Sequence, residues 1–215
     1  MNYKELQRDV FLYTSYDYND AQLEMMISII NLIEDNNHIY TLNLLDIENN
    51  TGVYFSPGEI TNIIESFLNR VYKTDDSITY FTLFQYFKLN DYSVEFCITD
   101  IALNHLLQIK KRYPINQVRA LLKCTSKHAK TLYVLAADWV NITDLKVLDI
   151  DDIKTQLNLI DSTGKVKYDD ITAFKERVLD VAIKQLNKFT DIKISYKLIK
   201  EGRSFKHIQF ILDRV

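Results

Sequence analysis

With 215 residues, 47% of them hydrophobic and 26% charged, the chain can build one large domain or two of about 100 residues. Its four Gly and two Pro exclude long coil segments. The net charge of −3 conceals a division: residues 1–110 carry 6 Lys and Arg against 16 Asp and Glu, a net of −10, and residues 111–215 carry 20 against 13, a net of +7. No Lys or Arg lies between Arg8 and Arg70, which excludes a nucleic-acid backbone as partner of that stretch and directs a polyanion to the second half. Cys97 and Cys124 follow no metal-ligand spacing and read as reduced, partly buried thiols. No apolar run reaches the ~20 residues of a membrane span, and the opening MNYKELQRDVF lacks the apolar core of a signal peptide. A cytoplasmic protein without a membrane partner is expected.

The chain reads as one order of elements written twice. Residues 21–33 place Leu23, Met26, Ile27, Ile30 and Ile33 at helical spacing, with Asp20 as N-cap. A short strand is predicted at 38–40 and a short helix at 42–48, ending near Thr51 and Gly52. Ser56, Pro57 and Glu59 then open another helix as N-cap, first position and third position. Its apolar stripe is Ile60, Ile63, Ile64, Phe67, Leu68 and Val71. Residues 78–98 are rich in aromatic and β-branched types, with a turn at Asn90-Asp91, and predict a β-hairpin.

Residues 100–123 predict a connecting helical segment broken near Pro114. The second pass starts with a helix over 126–139, carrying Ala129, Leu132, Tyr133, Leu135 and Ala136 inward. A strand at 146–148 and a short helix at 151–159 follow, with Ile153 and Leu157 inward. After a polar turn at 161–165, a longer helix spans about 170–188, with a stripe of Ile171, Phe174, Val178, Val181 or Ala182, and Leu186. Period-two alternation on both sides of Glu201-Gly202 predicts a closing hairpin over 191–212.

Helix, short strand, two helices and a hairpin is the winged-helix order, in which the last helix enters the major groove beside a β wing. The fold class is therefore α+β, with tandem winged-helix domains, each a helix-turn-helix followed by a β-hairpin wing. The expected boundaries are an acidic domain over 1–110, a linker over 111–124 and a basic domain over 125–215.

The basic residues of the second half gather on two elements. Lys175, Arg177, Lys184 and Lys188 lie off the apolar stripe of the long helix, and Lys165, Lys167 and Tyr168 precede it. Thr172 sits in its first turn. Lys197, Lys200, Arg203, Lys206 and His207 flank the last turn. A recognition helix needs long donors for base edges, and a wing needs cations for phosphates. Ser126 and Lys127, with free backbone N–H groups at a helix start, add a place for one phosphate. Taken singly, each lysine is an ordinary solvated side chain; their concentration on these two elements carries the argument.

Enzyme chemistry has little support. No Gly-rich phosphate loop is present, and His38, His105, His128 and His207 stand isolated, without the pairing a catalytic metal needs. Asp149, Asp151 and Asp152 read as a helix N-cap with first-turn acid, and Trp139 as a core anchor. The expectation is a non-enzyme without cofactor or metal.

Specific stretches resemble a known family. They are TSKHAKTLY at 125–133, IDDIKTQL at 150–157, Tyr168 with FKERVL at 174–179, then Ala182 and Leu186-Asn187. TDIKI at 190–194, KEGR at 200–203 and IQF at 208–210 complete the set. Together they resemble the iteron-binding plasmid replication initiators, the tandem winged-helix Rep type of theta replication. Residues 78–107 match the end of that family's first winged helix loosely, and the first 75 match in pattern alone. The resemblance implies a duplex-DNA-binding initiator whose second winged helix reads direct repeats at an origin and whose first mediates dimerisation and adds DNA contacts in the monomer. It also implies autorepression by dimers and recruitment of host replication proteins by monomers. The strongly acidic first half departs from the family pattern and points to a homodimer or host-protein interface over 1–110. A winged-helix transcriptional repressor shares every feature of the second half, and a protein-interaction module would account for the first half alone.

Overall fold

The computed structural model describes residues 16–73, 79–160 and 163–214. The chain divides into two compact units between Lys123 and Cys124, and each repeats the same topology.

In the first unit, helix α1 (Asp20–Leu32) starts from a capping box. Asn19 accepts from the Gln22 N–H and Gln22 reaches back to the Asn19 N–H, so the cap is Asn19 rather than Asp20. Strand β1 (Ile39–Asn43) leads into α2 (Leu44–Thr51), which Gly52 ends at φ +73°, a conformation glycine takes at no steric cost. Ser56 caps α3 (Pro57–Leu68) by accepting from the Glu59 N–H, with Pro57 in its first turn. Ile60, Ile63 and Phe67 are buried, while Val71 leaves the stripe for strand β2 (Val71–Lys73). That strand pairs with β3 (Tyr80–Thr82) in a small ribbon that the sequence pattern does not show.

The hairpin is β4 (Phe84–Asn90) with β5 (Ser93–Ile98), and the sheet order is β1-β5-β4. Asn90 pairs with Ser93, which places the turn at Asp91-Tyr92, one residue beyond the predicted Asn90-Asp91. The extra residue at Gln85 bulges the ladder and re-aims β4. The phenylalanines turn inward: Phe84 packs against Phe67 at 5.9 Å and Phe87 at 4.6 Å, and Phe96 is fully buried. Tyr80, Tyr86 and Tyr92 stay exposed, with the Tyr86 hydroxyl donating to the Glu95 carboxylate at 3.2 Å.

The segment predicted as a connector packs with this unit. Helix α4 (Asp100–Arg112) ends before Pro114, and α5 (Ile115–Lys123) is tied to α1 by an Arg119–Glu24 ion pair. Lys110 donates to the Asn31 and Ile33 carbonyls at 2.6 and 2.8 Å, closing the C-terminal end of α1. Arg70 is buried among Tyr16, Tyr18 and Phe67, with its guanidinium 4.2 Å from the Tyr18 centroid. Two of the few cations of the acidic half are thus spent on structure.

In the second unit, α6 (Lys127–Trp139) carries Ala129, Leu132, Tyr133, Leu135 and Ala136 inward as predicted, and Trp139 packs on Phe210 at 5.5 Å. Strand β6 (Leu145–Asp149) and helix α7 (Ile150–Gln156) follow. The last helix, α8, consists of an α-helical turn Ile171–Phe174, a π turn Lys175–Leu179 and an α-helical run Asp180–Phe189. Its wing is β7 (Ile192–Glu201) with β8 (Ser204–Arg214), in the sheet order β6-β8-β7. Glu201 pairs with Ser204, so the turn is Gly202-Arg203 rather than Glu201-Gly202. Gly202 at φ +64° supplies the positive φ such a two-residue loop requires. Both cysteines are free and buried. No helix among the described residues is long and apolar enough to cross a membrane.

Candidate nucleic-acid interface

The foundation of the site is the junction between α7 and α8. Lys154 is only 4% exposed. Its ammonium donates to the Asp169 carbonyl at 3.2 Å and lies 5.3 Å from the Phe174 centroid, which fixes the start of α8. Asp170 caps that helix by accepting from the Ala173 N–H at 2.8 Å. The preceding turn closes through an Ile160–Val166 bridge and the Lys167 N–H to Leu159 carbonyl bond at 2.7 Å. Lys165 and Lys167 are exposed on this turn, and Tyr168 is half-buried at φ +56°.

Helix α8 then presents its polar face. Its buried residues are Phe174, Val178, Leu179, Ala182, Ile183 and Leu186, with Val181 exposed, so Ala182 is the inward residue. The π turn, with the Asp180 N–H bonded to the Lys175 carbonyl, widens the helix between Phe174 and the buried pair Val178 and Leu179. Lys175, Glu176 and Arg177 are in consequence exposed in succession. Lys175 pairs with the Asp180 carboxylate at 3.4 Å, and Asp180 also accepts from the Tyr196 hydroxyl at 2.7 Å. That hydrogen bond joins α8 to the wing strand. Burial and the Asp180 carboxylate push the Tyr196 hydroxyl up from its ordinary value, so it stays a donor. Arg177 has no ion pair among the described residues. Thr172, Lys184 and Lys188 complete the exposed face.

On the wing, Lys197, Lys200, Arg203 and Lys206 are exposed. Lys200 lies 4.9 Å from the Phe205 centroid. Lys206 is the extra residue where the register shifts between Ile199 and Lys200. His207 differs from these cations: its Nδ1 faces Asp149 at 2.5 Å and its Nε2 faces Glu201 at 3.8 Å. Asp149 makes no side-chain cap to α7, because its carboxylate is turned to His207. The start of α6 also differs from expectation. The Ser126 hydroxyl accepts from the Ala129 N–H, and the Ser126 N–H donates to Gln185 at 3.0 Å. Those donors are spent within the protein, and Lys127 is the exposed cation at that end. Lys154, Gln185 and Tyr196 are the supporting residues that sequence reasoning missed, since each acts through a partner distant in the chain.

His128, one residue into α6, gives the unit a pH response. Desolvation and the nearby Lys127 hold its imidazole down to about 4, against a hydrogen bond with the Leu157 backbone that raises it. The folded chain therefore binds fewer protons at this residue than the unfolded chain. Stability from this source is intact above about pH 6.5 and falls as the pH drops toward 4, by roughly 1–2 kcal/mol after allowance for partial solvation. Urea titrations followed by the fluorescence of Trp139, the single tryptophan, should show a shallower acid decline in His128→Gln than in the parent. Equal declines would show that His128 does not set the response.

The corresponding face of the first unit is different. The exposed residues of α3 are Pro57, Gly58, Thr61, Asn62 and Glu65, and the hairpin turn carries Asp91 and Tyr92. Neither contains a lysine or arginine.

Known proteins match this arrangement. A family model for the initiator replication protein, WH1, matches residues 7–137, and one for the initiator Rep protein, WH2, matches residues 149–212. No curated protein matches the chain. Among solved structures, the chain is similar to the Pi initiator protein in complex with iteron DNA, with a TM-score of 0.54 and 16% identity over 96% of this chain and 94% of that one. Two structures of RctB domains 2 and 3 are also similar. Their TM-scores are 0.43 and 0.38, their identities 11% and 12%, and they cover 90% and 91% of this chain and 81% and 83% of theirs. The likeness to the Pi initiator structure shows the fold; the first family match covers the first unit and runs into α6, and the second covers the second unit from the end of β6 through the wing.

Proposed function

The chain belongs to the initiator replication protein family and is a DNA-binding replication initiator, and on that premise we propose that it binds direct repeats at a plasmid origin through its second winged helix and nucleates initiation there. One observation carries the assignment of this task to the second unit. Two units of the same topology differ in charge on the corresponding elements: α8 and its wing offer Lys175, Arg177, Lys184, Lys200, Arg203 and Lys206, whereas α3 offers no cation and its hairpin only Lys88. Phosphate contacts from wing and turn would set the register, and the exposed middle of α8 would lie at base edges.

The test is functional. A DNA circle whose sole origin is the gene with its flanking DNA should be maintained in a host, and Arg177→Ala should abolish maintenance. A circle maintained equally by Arg177→Ala would overturn the assignment of the reading helix, and a circle never maintained with the parent gene would favour a repressor.

The first unit is proposed to form a homodimer through an edge of its β1-β5-β4 sheet, where unpaired strand groups and the exposed Tyr86 on β4 are available. Dimers would repress the chain's own gene, and monomers would occupy repeats and engage host replication proteins. Light scattering of the full chain across micromolar concentrations should show a mass rising above one chain, with Tyr86→Lys shifting it back. A constant single-chain mass would end the dimer proposal.

A further inference from the structure

The first winged helix holds an apolar groove where the second holds its cations. A cavity of about 460 Å³ lies between α2, the start of α3 and the β4–β5 turn. Four large side chains stand out around it: Leu45 is 42% exposed, Tyr54 70%, Leu89 45% and Tyr92 66%. Its floor is apolar, with Leu44 and Ile60 both buried. Asp91 and Glu48 line it, no lysine or arginine does, and Asp46 and Glu59 lie in the first turns of the two helices that border it.

Exposed aromatic and aliphatic side chains gathered around one cavity mark a protein interface. The charge selects the occupant. A duplex is repelled by Asp91 and its acidic neighbours. A second copy docking through the same groove would place identical carboxylates against one another across a two-fold axis. We infer that this groove docks a cationic segment of another protein. One or two large apolar side chains of that segment enter between Tyr54, Leu89 and Tyr92, and flanking Lys or Arg meet Asp91 and Glu48.

The experiment pans a phage-displayed library of random dodecapeptides on the full-length protein, with counter-selection on a Leu45→Ser/Tyr92→Ser variant. The enriched peptides should combine Lys or Arg with Leu, Phe, Met or Trp. They should bind one per chain, and weaken as salt is raised. Binding should drop at least tenfold for the double variant and for Asp91→Lys. Asp91 sits in an exposed turn, so this single exchange keeps the test decisive if the double variant folds poorly. DNA binding by Asp91→Lys should equal that of the parent. No enrichment, enrichment of acidic or uncharged peptides, or equal binding to the variants would overturn the proposal. So would conversion of a dimer to a monomer by Asp91→Lys or the double variant, which would identify a second copy as the occupant. Loss of DNA binding in the folded double variant, with a gain in Asp91→Lys, would identify the duplex instead.

Discussion

Replacing Lys200, Arg203 and Lys206 together by alanine should weaken binding to repeat and unrelated duplex alike, by roughly a hundredfold at 0.15 M salt. The size follows from counterion release. Each phosphate neutralised contributes about 0.9 to the slope of log affinity against log salt, so three lost contacts lower the slope by about 2.7. All three side chains are exposed on the wing, and none closes a core, so the variant should fold. His207 is left in place because Asp149 and Glu201 hold it. Fluorescence anisotropy across a salt series checks the outcome. An unchanged slope would show that the wing does not meet the backbone.

The second large effect separates reading from positioning. Arg177→Ala should cost about 1–3 kcal/mol at a cognate repeat and relax preference at one base pair, with little loss on unrelated duplex. Arg177 is assigned ahead of Lys175 because the Lys175 ammonium is engaged by Asp180, which Tyr196 holds in turn. Arg177→Lys should restore charge without the two-pronged geometry, recovering affinity for unrelated DNA more than discrimination. A base-by-base competition assay decides it. A preference profile unchanged in Arg177→Ala would move the reading role to Thr172 or Lys175.

Much of this was legible in the chain, for identifiable reasons. Ser56-Pro57 and the Ile60, Ile63, Phe67 stripe state a helix start and its buried face locally, and the structure follows them. The tandem order of elements was legible in the same way, because helix stripes and strand alternation are local patterns. The β2–β3 ribbon left no trace, since three residues per strand are too few to show a period. At the site, the positions of the cations were legible and their engagements were not. Lys154 reads as a surface lysine until Asp169 and Phe174 are brought against it. Lys110 and Arg70 read as the first half's scarce surface charge until the end of α1 accepts hydrogen bonds from the first and the tyrosines enclose the second. The turns at Asp91-Tyr92 and Gly202-Arg203 each lie one residue beyond their predicted places, because register is set by the pairing strand as well as by turn residues.

The most direct test of the central claim is a hydroxyl-radical footprint of the full chain on the DNA flanking its own gene. Repeat reading by the second winged helix predicts protection of several short repeats in the same orientation, each lost together in Arg177→Ala. Protection confined to one inverted site, or none on that DNA, would contradict it.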